Sequence, residues 1–125
     1  MTQNNSAKHP VILVDDEEHI LNSFSLYLRS QGISNVVALN GGRHLTETVK
    51  ELGATVIVLD LMMPSPSGTE LLPQLRIQFP EIPVLVVTAS DEVDTAVNCM
   101  KLGAFDYLVK PVEKSRFISA VSFRL

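Results

Sequence analysis

Two kinds of hydrophobic pattern alternate along the chain. Short, continuous apolar runs rich in β-branched residues occur at residues 11–14, 36–39, 56–59 and 84–87, with a shorter run at 107–109. Unbroken runs of this length are typical of strands that are buried on both faces of a parallel sheet. After each run, apolar residues recur at helical spacing, as at Ile20, Phe24, Tyr27 and Leu28. The pattern therefore predicts five successive strand–helix units.

Glycines and prolines mark the boundaries of these units. Gly32, Gly53 and Gly103 stand where helices should end, and we expect each to adopt a left-handed conformation. Pro73 falls within the third helical pattern, so that helix is expected to start late or to bend there.

Parallel strands with right-handed helical crossovers form a three-layer αβα sandwich. Spacing alone does not determine the strand order, and we adopt the flavodoxin-like order 2-1-3-4-5 by analogy. Residues 1–9 are polar and are expected to form a disordered tail, followed by one domain over residues 10–125.

Composition and charge exclude several classes of protein. The 125 residues are 46% hydrophobic with a net charge of -4, which fits one globular domain and gives no electrostatic reason to bind nucleic acid. Cys99 is the only cysteine, so an internal disulfide is excluded, which is typical of a reducing compartment. The first ten residues contain no apolar stretch, so we expect no secretion signal, and no apolar run approaches the roughly 20 residues of a membrane span. We expect a cytoplasmic domain without membrane contact.

Charged and hydroxyl residues follow four of the five predicted strands. They are Asp15 and Asp16 after the first strand, Asp60 after the third, Thr88 after the fourth and Lys110 after the fifth. Because ligands bind beyond the carboxyl ends of parallel strands, we expect these groups to meet at one edge of the sheet. Crowded carboxylates repel one another, so either some of them stay protonated or a cation lies among them. Magnesium fits, because it accepts few carboxylates while keeping several waters. A carboxylate nucleophile can form an acyl phosphate, which a lysine and a hydroxyl can stabilise.

Each of these residues, taken singly, also has an ordinary structural explanation. Asp60 alone could cap a turn, and the acidic run at residues 15–18 could be the first turn of a helix. Thr88 alone carries almost no information, and Lys110 alone could be a solvated surface lysine. The placement of all of them after successive strands favours a functional site.

Four segments carry a resemblance to a known family. VDDE at 14–17, DLMMPSPSG at 60–68, VTAS at 87–90 and GAFDYLVKP at 103–111 resemble the receiver domains of bacterial two-component response regulators, and the resemblance covers nearly the whole chain. It implies that Asp60 accepts a phosphoryl group from a sensor histidine kinase or a phosphotransfer protein. The segment 91–111 most resembles receivers attached to NtrC-like activators of an alternative sigma factor.

The resemblance also assigns a metal site. It implies that Asp15 and Asp16 hold Mg²⁺ together with Asp60 and the backbone carbonyl of Met62. Asp16 is the expected direct ligand of the acidic pair. Pro66 departs from the family, which more often has another apolar residue there, and should stiffen the loop without removing a ligand.

The remaining assignments concern the switch. The resemblance implies that Thr88 and Lys110 sense the phosphate, that Tyr107 changes rotamer with Thr88, and that the bond between Lys110 and Pro111 is cis. The surface of the fourth helix, fifth strand and fifth helix is then expected to control an output domain beyond Leu125, a partner, or a homodimer. Beyond its own phosphorylation and dephosphorylation, such a domain catalyses nothing.

Two other functions use similar residues. A magnesium-dependent phosphohydrolase would need a general acid near Asp60 and room for a cap domain, but Met62 stands two residues after Asp60 and the chain has 125 residues. A receiver-like domain that only binds partners would lack the acidic pair or the lysine, and both are present.

Since neither Met62 nor Ser90 would obviously position water, we expect slow loss of the phosphoryl group.

Overall fold

The computed structural model describes residues 9–125. The predicted tail ends at His9, but this residue contacts the domain. Its Nδ1 lies 3.0 Å from the carbonyl oxygen of Leu52, and its own carbonyl accepts a 2.6 Å hydrogen bond from the Thr55 hydroxyl. The prediction of a disordered tail is therefore wrong for His9, and its remainder, residues 1–8, lies outside the described residues.

The predicted alternation of strands and helices is confirmed. The elements are β1 Val11–Asp15, α1 Glu18–Arg29, β2 Val36–Asn40, α2 Leu45–Leu52, β3 Val56–Asp60, α3 Gly68–Gln78, β4 Val84–Thr88, α4 Val93–Lys101, β5 Asp106–Val109 and α5 Lys114–Ser122. All neighbouring strands pair in parallel, and their order is β2-β1-β3-β4-β5, the flavodoxin-like order adopted above. Strands β1 to β4 each extend one residue beyond their apolar runs, so polar residues form their carboxyl ends.

The sheet separates two hydrophobic cores. Strands β1, β3 and β4 are buried along their whole length, as expected for central strands covered on both faces. Alternate strand side chains pack against α2, α3 and α4 on one face, and the others pack against α1 and α5 on the opposite face. On the second face, the rings of Phe24 and Phe117 stack with centroids 4.2 Å apart. This double cover holds the three central strand ends side by side.

Glycines end the helices as the sequence predicts in two cases of three. Gly32 and Gly103 have φ of 81° and 103°. Gly53 has φ 70° but ψ -176°, so it lies at positive φ outside the left-handed helical region. All three are conformations that glycine adopts more readily than other residues.

Helix α3 does not start late, and this part of the prediction for Pro73 is wrong. The helix begins at Gly68, and Pro73 lies inside it. The Ser67 side chain accepts a hydrogen bond from the Glu70 N–H, and the Glu70 side chain accepts one from the Ser67 N–H. This capping box provides partners for two N–H groups and starts the helix ahead of the proline. Among residues 9–125, no helix is long and apolar enough to cross a membrane.

Candidate functional site

Three polar side chains lie buried at the carboxyl ends of the central strands. Asp15 ends β1, Asp60 ends β3 and Thr88 ends β4, with exposed fractions of 3%, 2% and 0%. The adjacent strand β5 ends at Val109, and the N–H of Lys110 donates a 2.8 Å hydrogen bond to the carbonyl of Thr88. The predicted meeting of these groups at one edge of the sheet is confirmed.

The ammonium group of Lys110 lies among three carboxylates. Its Nζ is 2.9 Å from Asp15 Oδ2, 3.3 Å from Glu17 Oε1 and 3.4 Å from Asp60 Oδ2. The contact with Glu17 was not predicted. Its only signal in the sequence is the length of the acidic run, 15–18, which supplies more carboxylates than the two assigned to the metal.

The buried carboxylates are also held by the main chain. Asp15 Oδ1 accepts a 2.9 Å hydrogen bond from the Glu17 N–H, and Asp60 Oδ1 accepts a 3.1 Å hydrogen bond from the Met62 N–H. Each carboxylate therefore has one oxygen bound by a backbone N–H and the other directed to Lys110. This arrangement holds both carboxylates in place while leaving their charges close together.

Burial and mutual repulsion change the acidity of the site. The pKa of Asp60 is raised from 3.8 to about 6, mainly by burial and then by the neighbouring charge of Asp15, against the lowering by the Met62 N–H and Lys110. For Lys110, burial lowers the pKa, but the hydrogen bond to Asp15 and the charges of Asp15 and Asp60 outweigh it, so the net pKa is raised. One lysine does not balance the carboxylates around it.

The residues present fit a divalent cation. Asp15, Asp16 and Asp60 each offer a carboxylate oxygen, and these oxygens all lie within 4.8 Å of one another. Hard oxygen donors in this number suit magnesium, which retains several waters as additional ligands. The carbonyl of Met62 as a further ligand stays a prediction. Met62 itself is 61% exposed, so its side chain lies largely in solvent.

The loop after β3 brings the start of α3 against the backbone at the end of β3. The Gly68 N–H donates a 3.0 Å hydrogen bond to the carbonyl of Leu61. A Cβ at position 68 would overlap the carbonyl oxygen of Asp60 and lie 2.6 Å from Leu61 Cα. The bond between Ser65 and Pro66 in this loop is cis, which was not predicted, and the bond between Lys110 and Pro111 is cis, as the resemblance implies.

Ser90 connects the two residues expected to form the switch. Its N–H donates a 3.2 Å hydrogen bond to Thr88 Oγ1, and its carbonyl accepts a 2.6 Å hydrogen bond from the Tyr107 hydroxyl. Burial raises the pKa of the Tyr107 hydroxyl above its ordinary value. Thr88 and Tyr107 are therefore linked through the backbone of one residue, a connection that sequence reasoning missed. The rotamer change of Tyr107 stays a prediction.

The fold and the site together define a class: small flavodoxin-like α/β domains with an acidic, lysine-containing pocket at the carboxyl edge of the sheet. The family model described as the response regulator receiver domain matches residues 11–122, and the chain belongs to this family. The resemblance found in the sequence is thereby confirmed.

Relatives and solved structures agree with this assignment. The sensory transduction protein RegX3 of Mycobacterium tuberculosis is 38% identical over 112 residues, which are 89% of this chain and 48% of RegX3. The alginate biosynthesis transcriptional regulatory protein AlgB of Pseudomonas aeruginosa is 36% identical over 92% of this chain and 25% of its own length. The chain thus spans about half or less of the length of these relatives. The chemotaxis protein CheY4 of Vibrio cholerae superposes with a TM-score of 0.86 at 26% identity, covering 95% of this chain and 100% of CheY4.

Proposed function

We propose that the chain is a cytoplasmic phosphorylation switch in which Asp60 accepts a phosphoryl group from the phosphohistidine of a sensor histidine kinase or a phosphotransfer protein. The observation that carries this proposal is the position of the Asp60 carboxylate. It is buried at the end of β3, 3.4 Å from Lys110, and grouped with Asp15 and Asp16. A buried acid among other acids is costly unless a cation or a reaction uses it.

The chemistry follows from the groups present. An Asp60 oxygen forms a bond to phosphorus, the bond between phosphorus and the donor histidine breaks, and its electron pair stays on the imidazole nitrogen. The product on this chain is an acyl phosphate. Lys110 can pair with the phosphate as a cation, and the hydroxyl of Thr88 can donate a hydrogen bond to it. Magnesium, held by Asp15, Asp16, Asp60 and the Met62 carbonyl, would offset the charge of the phosphate.

The signal leaves the site through the link at Ser90. Moving an equilibrium from 1:99 to 99:1 requires about 5.5 kcal/mol of differential interaction. One charge-assisted hydrogen bond contributes about 1.5–3 kcal/mol, so Thr88 and Lys110 are both needed. A movement of Thr88 would act on Tyr107 through Ser90 and change the face formed by α4, β5 and α5.

That face is suited to contact another protein. On α4, Val93, Val97 and Met100 are exposed to 73%, 45% and 46%. They recur at helical spacing and form an apolar stripe. This surface could contact an output domain in the same protein or the same face of a second copy. RegX3 and AlgB are both longer than the matched segment, which supports an output domain in the same protein as this chain. That output domain could be of the NtrC-like kind or of another kind.

Incubation with acetyl phosphate and magnesium tests the proposal. We expect one phosphoryl group per chain and slow loss of the label. Many turnovers of acetyl phosphate would instead indicate a phosphohydrolase, and no labelling would indicate a domain that only binds partners. Mass spectrometry of the intact protein measures the label, and release of inorganic phosphate counts the turnovers.

A further inference from the structure

Glu17 is a carboxylate in contact with Lys110 that lies outside the group able to hold a cation. Its Oε1 is 3.3 Å from the Lys110 Nζ, and its side chain is 49% exposed. The carboxylates with mutually close oxygens in residues 9–125 are those of Asp15, Asp16 and Asp60. Glu17 therefore contacts the lysine from the solvent side of the pocket, whereas Asp15 and Asp60 contact it from the buried side.

The backbone places Glu17 at this position. Its N–H donates to Asp15 Oδ1 at 2.9 Å, which fixes the residue directly beside the buried acid. It is also the N-terminal flanking residue of α1, but its side chain makes no capping hydrogen bond. The contact of its carboxylate is with Lys110, across 93 positions of sequence. Helix capping, the ordinary explanation of an acid at this position, does not account for this contact.

Lys110 has fewer available partners once a cation is bound. Asp15 and Asp60 contact the lysine at 2.9 Å and 3.4 Å, and both also belong to the set that could hold the cation. A cation on these carboxylates competes with the lysine for their charge. Glu17 is then the carboxylate that continues to attract the ammonium group.

We propose that Glu17 is a positioning residue that restrains Lys110 and competes with the phosphate for its ammonium group. This inference rests on the proposed function, since it assumes that Asp60 is phosphorylated. Transfer to Asp60 requires Lys110 to exchange its contact with Glu17 for a contact with the phosphate. Glu17 thereby limits both the rate of phosphorylation and the stability of the phosphorylated state.

Glu17→Gln, compared with Glu18→Gln, tests this proposal. Both substitutions remove one negative charge next to the site, but Glu18 Oε1 accepts a 2.8 Å hydrogen bond from Asn40 Nδ2 instead of contacting Lys110. We expect Glu17→Gln to be labelled by acetyl phosphate in magnesium buffer about two- to fivefold faster than wild type, the effect of losing one partly exposed ion pair. Glu18→Gln should be labelled at the wild-type rate.

A spectroscopic measurement separates positioning from a general charge effect. In ¹⁵N NMR of the magnesium-loaded protein, Glu17→Gln should shift the side-chain ammonium signal of Lys110, and Glu18→Gln should leave it in place. Equal acceleration by both substitutions, or an unshifted Lys110 signal in Glu17→Gln, would overturn the inference while leaving the proposed function intact. Absence of labelling in all three proteins would reject the proposed function, and the inference with it.

Discussion

The two ends of the sheet differ in how their cationic side chains are paired. At the amino end, the guanidinium of Arg76 donates 2.7 Å hydrogen bonds to the carbonyls of Ile82 and Pro80. At the carboxyl end, Lys110 meets the carboxylates of Asp15 and Asp60, which also face each other. The first arrangement pairs a cation with main-chain oxygens and stabilises a loop. The second gathers more negative than positive charge, an arrangement that suits a bound cation.

The largest expected effect concerns the acceptor. Asp60→Asn should abolish labelling by acetyl phosphate, because an amide oxygen is not a nucleophile of comparable strength. Mass spectrometry of the intact protein measures this directly. Labelling of the variant at the wild-type level would show that another residue is the acceptor. The carboxyl end of the sheet would then no longer be distinguished from the amino end by phosphorylation at Asp60.

Thr88→Ala should separate phosphorylation from switching. The variant keeps Asp60 and Lys110 and should still be labelled, but it loses one hydrogen bond to the phosphate, about 1.5–3 kcal/mol of the switching free energy. Amide NMR with beryllofluoride should show incomplete shifts in α4 and at Tyr107. Shifts as complete as those of wild type would contradict coupling through Thr88.

Asp60→Asn should also stabilise the metal-free protein at neutral pH. The pKa of Asp60 is raised from 3.8 to about 6 in the folded state, so folding favours the protonated acid. The contribution of the protonated Asp60 to the free energy of unfolding is fully present below about pH 3.8 and is lost as the pH rises through about 6. At pH 7 the wild type, with a charged Asp60, is therefore less stable than the uncharged variant. We expect a gain of about 1–3 kcal/mol for the variant at pH 7, shrinking towards pH 4. Urea unfolding at the two pH values measures it, and a constant difference would contradict this explanation.

At the amino end of the sheet, Arg76→Ala should lower the stability of the fold without affecting phosphorylation. Loss of its two hydrogen bonds to backbone carbonyls should destabilise the fold by about 1–2 kcal/mol at any pH between 5 and 8. Phosphorylation by acetyl phosphate should be unchanged. Arg43→Ala, at an exposed arginine, is the matched control and should change the unfolding free energy by less than about 0.5 kcal/mol. A lower labelling rate in Arg76→Ala would contradict the claim that the amino end of the sheet contributes to stability and not to phosphorylation.

The smallest expected effect is on magnesium affinity. Few protein oxygens are offered and magnesium dehydrates reluctantly, so binding to the unphosphorylated domain should be weak. Asp16→Asn should weaken it about three- to tenfold, and Glu18→Gln should change it less. Calorimetric titration of the two variants compares them. Unchanged affinity in Asp16→Asn would contradict Asp16 as the direct ligand.

The sequence predicts the fold well because its pattern reports burial. Continuous apolar runs located all five strands, and the residues that followed them located the pocket. The same pattern contains no information on contacts between side chains far apart in sequence, such as Glu17 with Lys110. It also missed the start of α3, since the capping box at Ser67 and Glu70 outweighs the expectation raised by Pro73.

The contact of Gly68 with the backbone of Asp60 and Leu61 has a consequence for sequence variation. Its φ is not positive, so its conformation does not require glycine. Nevertheless, any larger residue would push against the carbonyl of Asp60 and the Cα of Leu61. In a library of all single substitutions selected for signalling, position 68 should tolerate substitution nearly as poorly as Asp60, the proposed acceptor, although glycine has no side chain that could take part in the proposed reaction.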